Sequence, residues 1–242
     1  MENSLKGKTI LITGAARRIG RHLAITAAKD GADVIIHHSH SPKQAEDTAN
    51  TIRGLGSNAW VVSADFSHPE YAIKILESFI KEKRAFALIN NAAIFGPVSF
   101  AETKLDDWER HFAINLTVPF LLSQVFAKIL GKKKGRIINL LDWRALRPGK
   151  DHFPYTISKA ALSSMTKATA LALAPNILVN ALALGAILPP TNGNFSENII
   201  KQVPAGRWAK LEEVSKAFLF LLDGPEYITG EIIHVDGGRH LV

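Results

Sequence analysis

Apolar and polar positions follow two periods along this chain, and the switch between them recurs from end to end. Short β-rich apolar runs stand at Lys8–Thr13, Val34–His37, Trp60–Ser63, Phe86–Ile89, Arg136–Leu140, Leu178–Ala183 and Glu231–Val235. Between them, apolar residues recur every three to four positions over Ile19–Lys29, Pro42–Arg53, Pro69–Lys83, Asn115–Leu130, Tyr155–Ala172 and Leu211–Leu222. The first pattern predicts strands and the second predicts helices. Seven strands alternating with helices predict a mostly parallel sheet covered on both faces, because parallel strands need long crossovers that place helices there.

No Pro/Gly/Ser-rich linker or internal repeat divides residues 1–242, so the chain reads as one domain. The least regular segment is Leu188–Arg207, with Pro189, Pro190, Gly193, Pro204 and Gly206; residues 188–207 are expected to form a lid over a substrate cleft. The uncharged stretch Ala168–Thr191 is long enough to raise the question of a membrane span. Pro175, Asn176, Asn180 and Gly185 interrupt it, so a buried helix end followed by a buried strand is expected, and no membrane partner.

Composition narrows the classes. Hydrophobic residues make up 47% and charged residues 21%, as in a globular protein. The absence of cysteine excludes disulfides, Cys-ligated zinc and a thiol nucleophile. The formal charge is +7, with one cluster at Lys132, Lys133, Lys134 and Arg136. That cluster reads as a solvated turn entering a strand rather than a nucleic-acid patch, and no nucleic-acid partner is expected. A net positive field favours anionic small ligands. Met1–Lys8 is charged and carries no hydrophobic signal segment, so a cytoplasmic location is expected.

The run Thr13-Gly14-Ala15-Ala16-Arg17-Arg18-Ile19-Gly20 falls where the first strand ends and the first helix begins. Gly14 permits a tight turn, Gly20 lets the helix pack against the sheet, and the helix N-terminus is left to face a pyrophosphate. This strand–turn–helix context marks a dinucleotide site in a Rossmann-type, doubly wound α/β fold. An acid at the end of the second strand would bind a ribose 2′-hydroxyl. Here the chain has His37-His38-Ser39-His40-Ser41 instead, so donors replace the acceptor and NADP(H) is favoured over NAD. Arg17, Ser39, His40 and Ser41 are the 2′-phosphate candidates, with His37 beside them. The histidines lack cysteine or carboxylate neighbours, so no metal is expected. Asp65 is a candidate acceptor for an adenine amino group; the alternative is a cap on the turn toward Pro69. Asn90-Asn91-Ala92-Ala93 follows the fourth strand, where small residues allow close backbone approach to a nucleotide.

Tyr155 and Lys159 lie one helical turn apart and share a face. An ammonium beside a phenol favours the phenolate, which is expected to draw the tyrosine pKa down toward working pH and make it a usable general acid.

Taken together, the chain resembles the short-chain dehydrogenase/reductase family over its whole length. The resemblance rests on Thr13–Gly20, Asn90–Ala93, Asn115 in Ile114-Asn115-Leu116, Tyr155 with Lys159, and Ile228-Thr229-Gly230 through Val235-Asp236-Gly237-Gly238. It implies that Tyr155 donates the proton and that Lys159 binds the nicotinamide ribose. It implies too that Asn115 holds a proton-relay water, although a polar kink in a helix is the other reading of that residue. Phe66, Asn91, Ala92, Ala93, Gly185 and Ile187 complete the implied cofactor set. A homo-tetramer is implied, with the helices at Asn115 and Tyr155 at an interface.

Two departures point to one branch. Arg18 replaces the middle glycine of the usual phosphate loop, and Asp142 stands where a serine is expected before the tyrosine. Both features occur in the pteridine reductases, which the chain resembles in Ala15-Ala16-Arg17-Arg18 and Asn139-Leu140-Leu141-Asp142, with Phe95 matching an aromatic on which a pterin stacks. In that reading Arg18, Phe95, Asp142 and Tyr155 bind the substrate, and Asp142 helps Tyr155 protonate a ring nitrogen. The alternative has Asp142 paired only with Arg144 or Arg147, leaving an NADPH-dependent carbonyl or 3-oxoacyl-acyl-carrier-protein reductase. A non-catalytic NADP-binding sensor is the reading of another class. Leu184-Gly185 replaces the usual Pro-Gly after the sixth strand, which leaves the pocket shape open.

Overall fold

The computed structural model describes residues 4–189 and 197–242, with the side chains of residues 197 and 198 outside the description. Part of the expected lid, residues 190–196, lies outside the described residues.

The strands are β1 (Thr9–Ile12), β2 (Asp33–His38), β3 (Ala59–Ser63), β4 (Ala85–Asn90), β5 (Gly135–Asp142), β6 (Ile177–Leu184) and β7 (Ile232–Val235). They form one sheet in the order β3-β2-β1-β4-β5-β6-β7, and every pairing is parallel. The helices are α1 (Arg18–Lys29), α2 (Pro42–Gly54), α3 (Pro69–Glu82), α4 (Leu105–Phe112), α5 (Val118–Leu130), α6 (Phe153–Leu173), α7 (Glu197–Lys201) and α8 (Leu211–Asp223). Every residue of β1 and β6 is buried. That is why these strands read as continuous apolar runs: helices cover both faces. Ile10 and Ile12 point to a layer with Leu23 and Phe218, while Leu11 points to the opposite layer with Leu76, Leu122 and Phe126.

After β3 the chain crosses back to the far side of β1 to start β4. Crossovers therefore leave β1 and β4 in opposite directions, opening a crevice at the carboxyl ends of the strands.

Several elements differ from the sequence expectation. β2 runs on to His38 and β5 to Asp142, so Asp142 is the last residue of its strand. A helix not anticipated, α4, precedes Asn115; Leu105, Trp108 and Phe112 keep helical spacing along it, but it is only eight residues long and buries only His111. Between α4 and α5 the backbone takes a π turn at Ala113–Thr117, which carries Asn115. Leu105–Leu130 is long and apolar enough to cross a membrane, but Val118, Leu122 and Phe126 pack inside the domain core. The stretch around Pro175 is the expected helix end followed by a buried strand. Of the basic cluster, Lys132–Lys134 are exposed, while Arg136 enters β5 and donates to the Leu221 and Gly224 carbonyls.

Candidate active site

A cleft of about 770 Å³ lies at this crevice, within the roughly 300–1,000 Å³ of small-molecule sites. Gly14, Arg17, Arg18, Ile19 and Gly20 line it from the first turn, and His37, Ser39, His40 and Ser41 from the end of β2. Asp65, Phe66, Asn91, Ala92, Ala93 and Phe95 follow from the next two strand ends, and Asp142, Tyr155, Lys159 and Gly185 close the far side. Asn115 and Ile187 stand behind this lining, both buried.

The first turn is built around Gly14, whose φ of +65° lies in the left-handed region. A Cβ at Gly20 would run into the Gly14 carbonyl and the Asn91 amide, so only glycine lets α1 approach this closely. Thr13 is the hub: its hydroxyl donates to the Ile89 carbonyl and accepts from the backbone N–H groups of Asn91 (2.9 Å) and Ala92 (3.0 Å). The Asn91 side chain donates back to the carbonyls of Thr13 (2.8 Å) and Gly14 (3.2 Å). Arg18 occupies the missing glycine's place with φ +53°, and its guanidinium donates to the Pro189 carbonyl. No side chain caps α1 and no acid stands in its first turn. Its orphan N–H groups and positive dipole end are available to an anion in the cleft, which is the donor set a pyrophosphate requires.

At the end of β2, His37 is committed to the protein. Its Nδ1 accepts from the Gly14 N–H (3.1 Å), and its Nε2 contacts the Ala64 carbonyl (2.9 Å), so it is the neutral Nε2–H tautomer. The ring stacks on Phe66 at 4.1 Å, and burial lowers its pKa to about 4. Ser39 and His40 bond to each other at the surface (2.8 Å) beside the cleft. Asp65 accepts from Ser67 N–H (3.0 Å), the turn-capping role, and this bond holds its carboxyl below the usual range.

On the far side, Tyr155 donates to Asp142 Oδ2 across 3.2 Å, while Asp142 Oδ1 accepts from the Arg144 backbone N–H (2.9 Å) and lies 3.7 Å from its guanidinium. Burial pushes the Asp142 carboxyl up, against the opposing bond from Arg144. Lys159 is buried, donates to the Leu140 carbonyl (2.6 Å), and is lowered to about 8 by burial. The expectation that Lys159 draws the phenol down is corrected here. Burial first and the Asp142 charge second raise Tyr155 well above its ordinary value, and the nearest bond of the ammonium goes to a carbonyl instead.

Asn115 is a clamp. Its Oδ1 accepts from Ile94 N–H (2.9 Å), and its amide donates to the Ile94 carbonyl (3.1 Å) and Ser158 Oγ (3.0 Å), tying the segment after β4 to α6. The π turn aims it inward, as such turns often do at functional sites. Phe95 stacks on His152 at 3.8 Å, meets Tyr155 edge-on at 4.7 Å, and remains 52% exposed. Arg110, on the unanticipated α4, also lines the cleft, and neither it nor His152 carried a signal in the sequence. Ile187 packs with Leu184 and Phe218 in the core.

The model of the family described as enoyl-(acyl carrier protein) reductase matches residues 14–240. The chain is 36% identical to the 3-oxoacyl-[acyl-carrier-protein] reductase FabG of Aquifex aeolicus, over 98% of this chain and 99% of that protein. The chain belongs to the short-chain dehydrogenase/reductase family. Among solved structures, FolM Alternative dihydrofolate reductase 1 from Brucella canis, complexed with NADP, superposes with a TM-score of 0.92 at 32% identity, covering 100% of this chain and 97% of that one. A blue fluorescent protein from a metagenomic library, in complex with NADPH, gives 0.91 at 30% identity, covering 98% and 99%. Family membership makes the chain an oxidoreductase, and Tyr155 and Lys159 are among the residues that line its cleft.

Proposed function

We propose that this chain reduces a dihydropterin-like C=N bond with NADPH, and that Tyr155 is the final proton donor. The carrying observation is the Tyr155–Asp142 contact of 3.2 Å, an acid pair inside a buried wall of the cleft. The N-terminal N–H groups of α1, with Gly14, Arg17, Arg18, Ile19 and Gly20, would hold the pyrophosphate. Arg17, Ser39, His40 and Ser41 would take the 2′-phosphate, Asp65 and Phe66 the adenine side, and Lys159 the nicotinamide ribose. The absence of an acid at the end of β2 supports NADP(H) over NAD, as do the NADP and NADPH in the similar solved structures. When bound, NADPH supplies the hydride.

The protein's own part is the proton. With Asp142 ionised, the phenol hydrogen points at the carboxylate. When Asp142 is protonated, which its raised pKa favours, it can donate to Tyr155 Oη in turn, and the phenol hydrogen is free for a ring nitrogen. Phe95 supplies an aromatic surface at the cleft, and Arg18 a cation for a polar heterocycle.

A second reading is supported by the relatives: reduction of a 3-oxoacyl thioester carried on acyl carrier protein, where Tyr155 protonates an alkoxide. NADPH consumption measured with 7,8-dihydrobiopterin and with acetoacetyl thioesters separates the two. Turnover of the thioesters without the dihydropterin would overturn the first. The exposed apolar residues Phe120 on α5 and Leu171 on α6 support the homo-tetramer reading, with light scattering as its check.

A further inference from the structure

Beside Phe95 a row of alternating rings and guanidiniums leads away from Tyr155. The Arg144 guanidinium lies 5.6 Å from the Phe95 ring and 4.7 Å from Trp143, and the Arg239 guanidinium lies 4.6 Å from that same indole. Arg239 comes from the turn after β7 and is anchored by donation to the Gln202 carbonyl (2.6 Å), so two distant parts of the chain bring cations to one ring. Arg147, exposed, stands in the same cluster. Its field and that of Arg144 weigh on Arg239, whose pKa is lowered by burial and then by those two charges.

Anions among the described residues do not balance this cluster. Asp151 takes Arg144 (3.0 Å) and also His152 (3.0 Å). Asp142 also lies against Arg144, 3.7 Å from its guanidinium. Both acids at this border of the cleft thus lie at Arg144, and among the described residues no carboxylate forms an ion pair with Arg147 or Arg239. Like charges held together in a partly desolvated place are costly unless a further anion joins them.

We propose that this row binds an anionic tail on the substrate, so that the enzyme prefers a dihydropterin carrying carboxylate or phosphate groups on its side chain over an uncharged one. The inference rests on the dihydropterin reading above. The heterocycle end would lie at Phe95 and Tyr155, and the tail would run along Trp143 toward Arg147 and Arg239. Guanidiniums suit both anions, because their forked donors match the oxygens of either.

The experiment compares steady-state reduction, with NADPH, of 7,8-dihydrobiopterin (uncharged side chain), 7,8-dihydrofolate (glutamyl carboxylates) and 7,8-dihydroneopterin phosphate. The variants are Arg147→Gln, Arg239→Gln and Arg239→Lys. The expected result is a lower KM for at least one anionic substrate than for dihydrobiopterin. That advantage should shrink by about fivefold in Arg147→Gln or Arg239→Gln, the scale of one partly exposed ion pair. kcat and the KM for dihydrobiopterin should stay unchanged, and Arg239→Lys should restore part of the loss. Which anion gains identifies carboxylate or phosphate as the tail. If the three substrates have equal KM, or if both Gln variants weaken charged and uncharged substrates alike, the anionic-tail inference falls while the dihydropterin reading stands. If no dihydropterin is reduced and acyl-carrier-protein thioesters are, the reading itself falls and takes this inference with it.

Discussion

Tyr155 gives its phenolic hydrogen to Asp142 across 3.2 Å, one residue from α6 and the other from the last position of β5. Burial lifts both groups, and the charge of the carboxylate lifts the phenol further, while the bond from the phenol acts on Asp142 in the opposite sense. Such a pair keeps protons rather than releasing them, which is the property a proton donor needs before its substrate arrives.

Removing the phenol removes the donor. Tyr155→Phe is expected to lower kcat by about 10²–10⁴-fold, the usual worth of a positioned acid. NADPH binding, followed by the change in nucleotide fluorescence, should be little altered. Unchanged turnover in this variant would show that the proton comes from elsewhere.

Asp142 sets the pH dependence. Its folded pKa is raised, so the protonated form persists above the usual carboxylate range and is lost as pH climbs through the raised value. kcat/KM for a dihydropterin should therefore fall with rising pH in that window. Asp142→Asn should abolish this limb of the profile. Asp142→Ser should lose dihydropterin turnover selectively if the second reading's carbonyl chemistry is also present. A wild-type profile flat through the whole acid-to-neutral range contradicts the assigned role.

His37 makes folding acid-sensitive. Its pKa is about 4 in the folded chain against 6.5 unfolded, so between those values the unfolded state binds the extra proton. Stability then rises with pH through this window and falls on acidification, by on the order of 3 kcal/mol for a shift of this size. Urea denaturation at several pH values should show that loss. His37→Phe, which keeps an aromatic ring against Phe66, should start less stable, because the Gly14 N–H and Ala64 carbonyl lose their partner, but should show a flatter acid slope. Equal slopes in both proteins would place the acid-sensitive group elsewhere.

Gly20→Ala tests the nucleotide turn. The added methyl meets the Gly14 carbonyl and the Asn91 amide, so α1 has to move away from the sheet. The Kd for NADPH is expected to rise at least about tenfold, a change of about 1.4 kcal/mol. In the same region, Ser39→Asp should weaken NADPH and favour NADH, since a carboxylate repels a 2′-phosphate and accepts from a 2′-hydroxyl.

The layered fold was legible because both periods were strong. β1 and β6, buried on both faces, could only be runs such as Thr-Ile-Leu-Ile and Ile-Leu-Val-Asn-Ala-Leu-Ala-Leu. α4 was missed although Leu105, Trp108 and Phe112 keep helical spacing, because eight residues hold little more than two turns of that period. Arg110 was missed with it. The pair Tyr155–Lys159 was visible from its spacing, but the direction of the phenol's pKa was not. A sequence shows that a cation is one turn away; it does not show how deeply the phenol is buried or which carboxylate faces it.

What the amino-acid order determined by itself is therefore local and periodic: strands, most helices, the Gly14–Gly20 turn, and the absence of an acid at the end of β2. Their cause lies within a few residues, in backbone freedom and in which faces must be buried. Tertiary structure alone decided that His37 props the turn from another strand, that Asn115 clamps Ile94 to Ser158, and that Arg239 joins Arg144 at Trp143. Those depend on crossings that bring residues far apart in the chain within bonding distance. In the buried surroundings so formed, charges and hydrogen bonds act strongly enough to reset protonation.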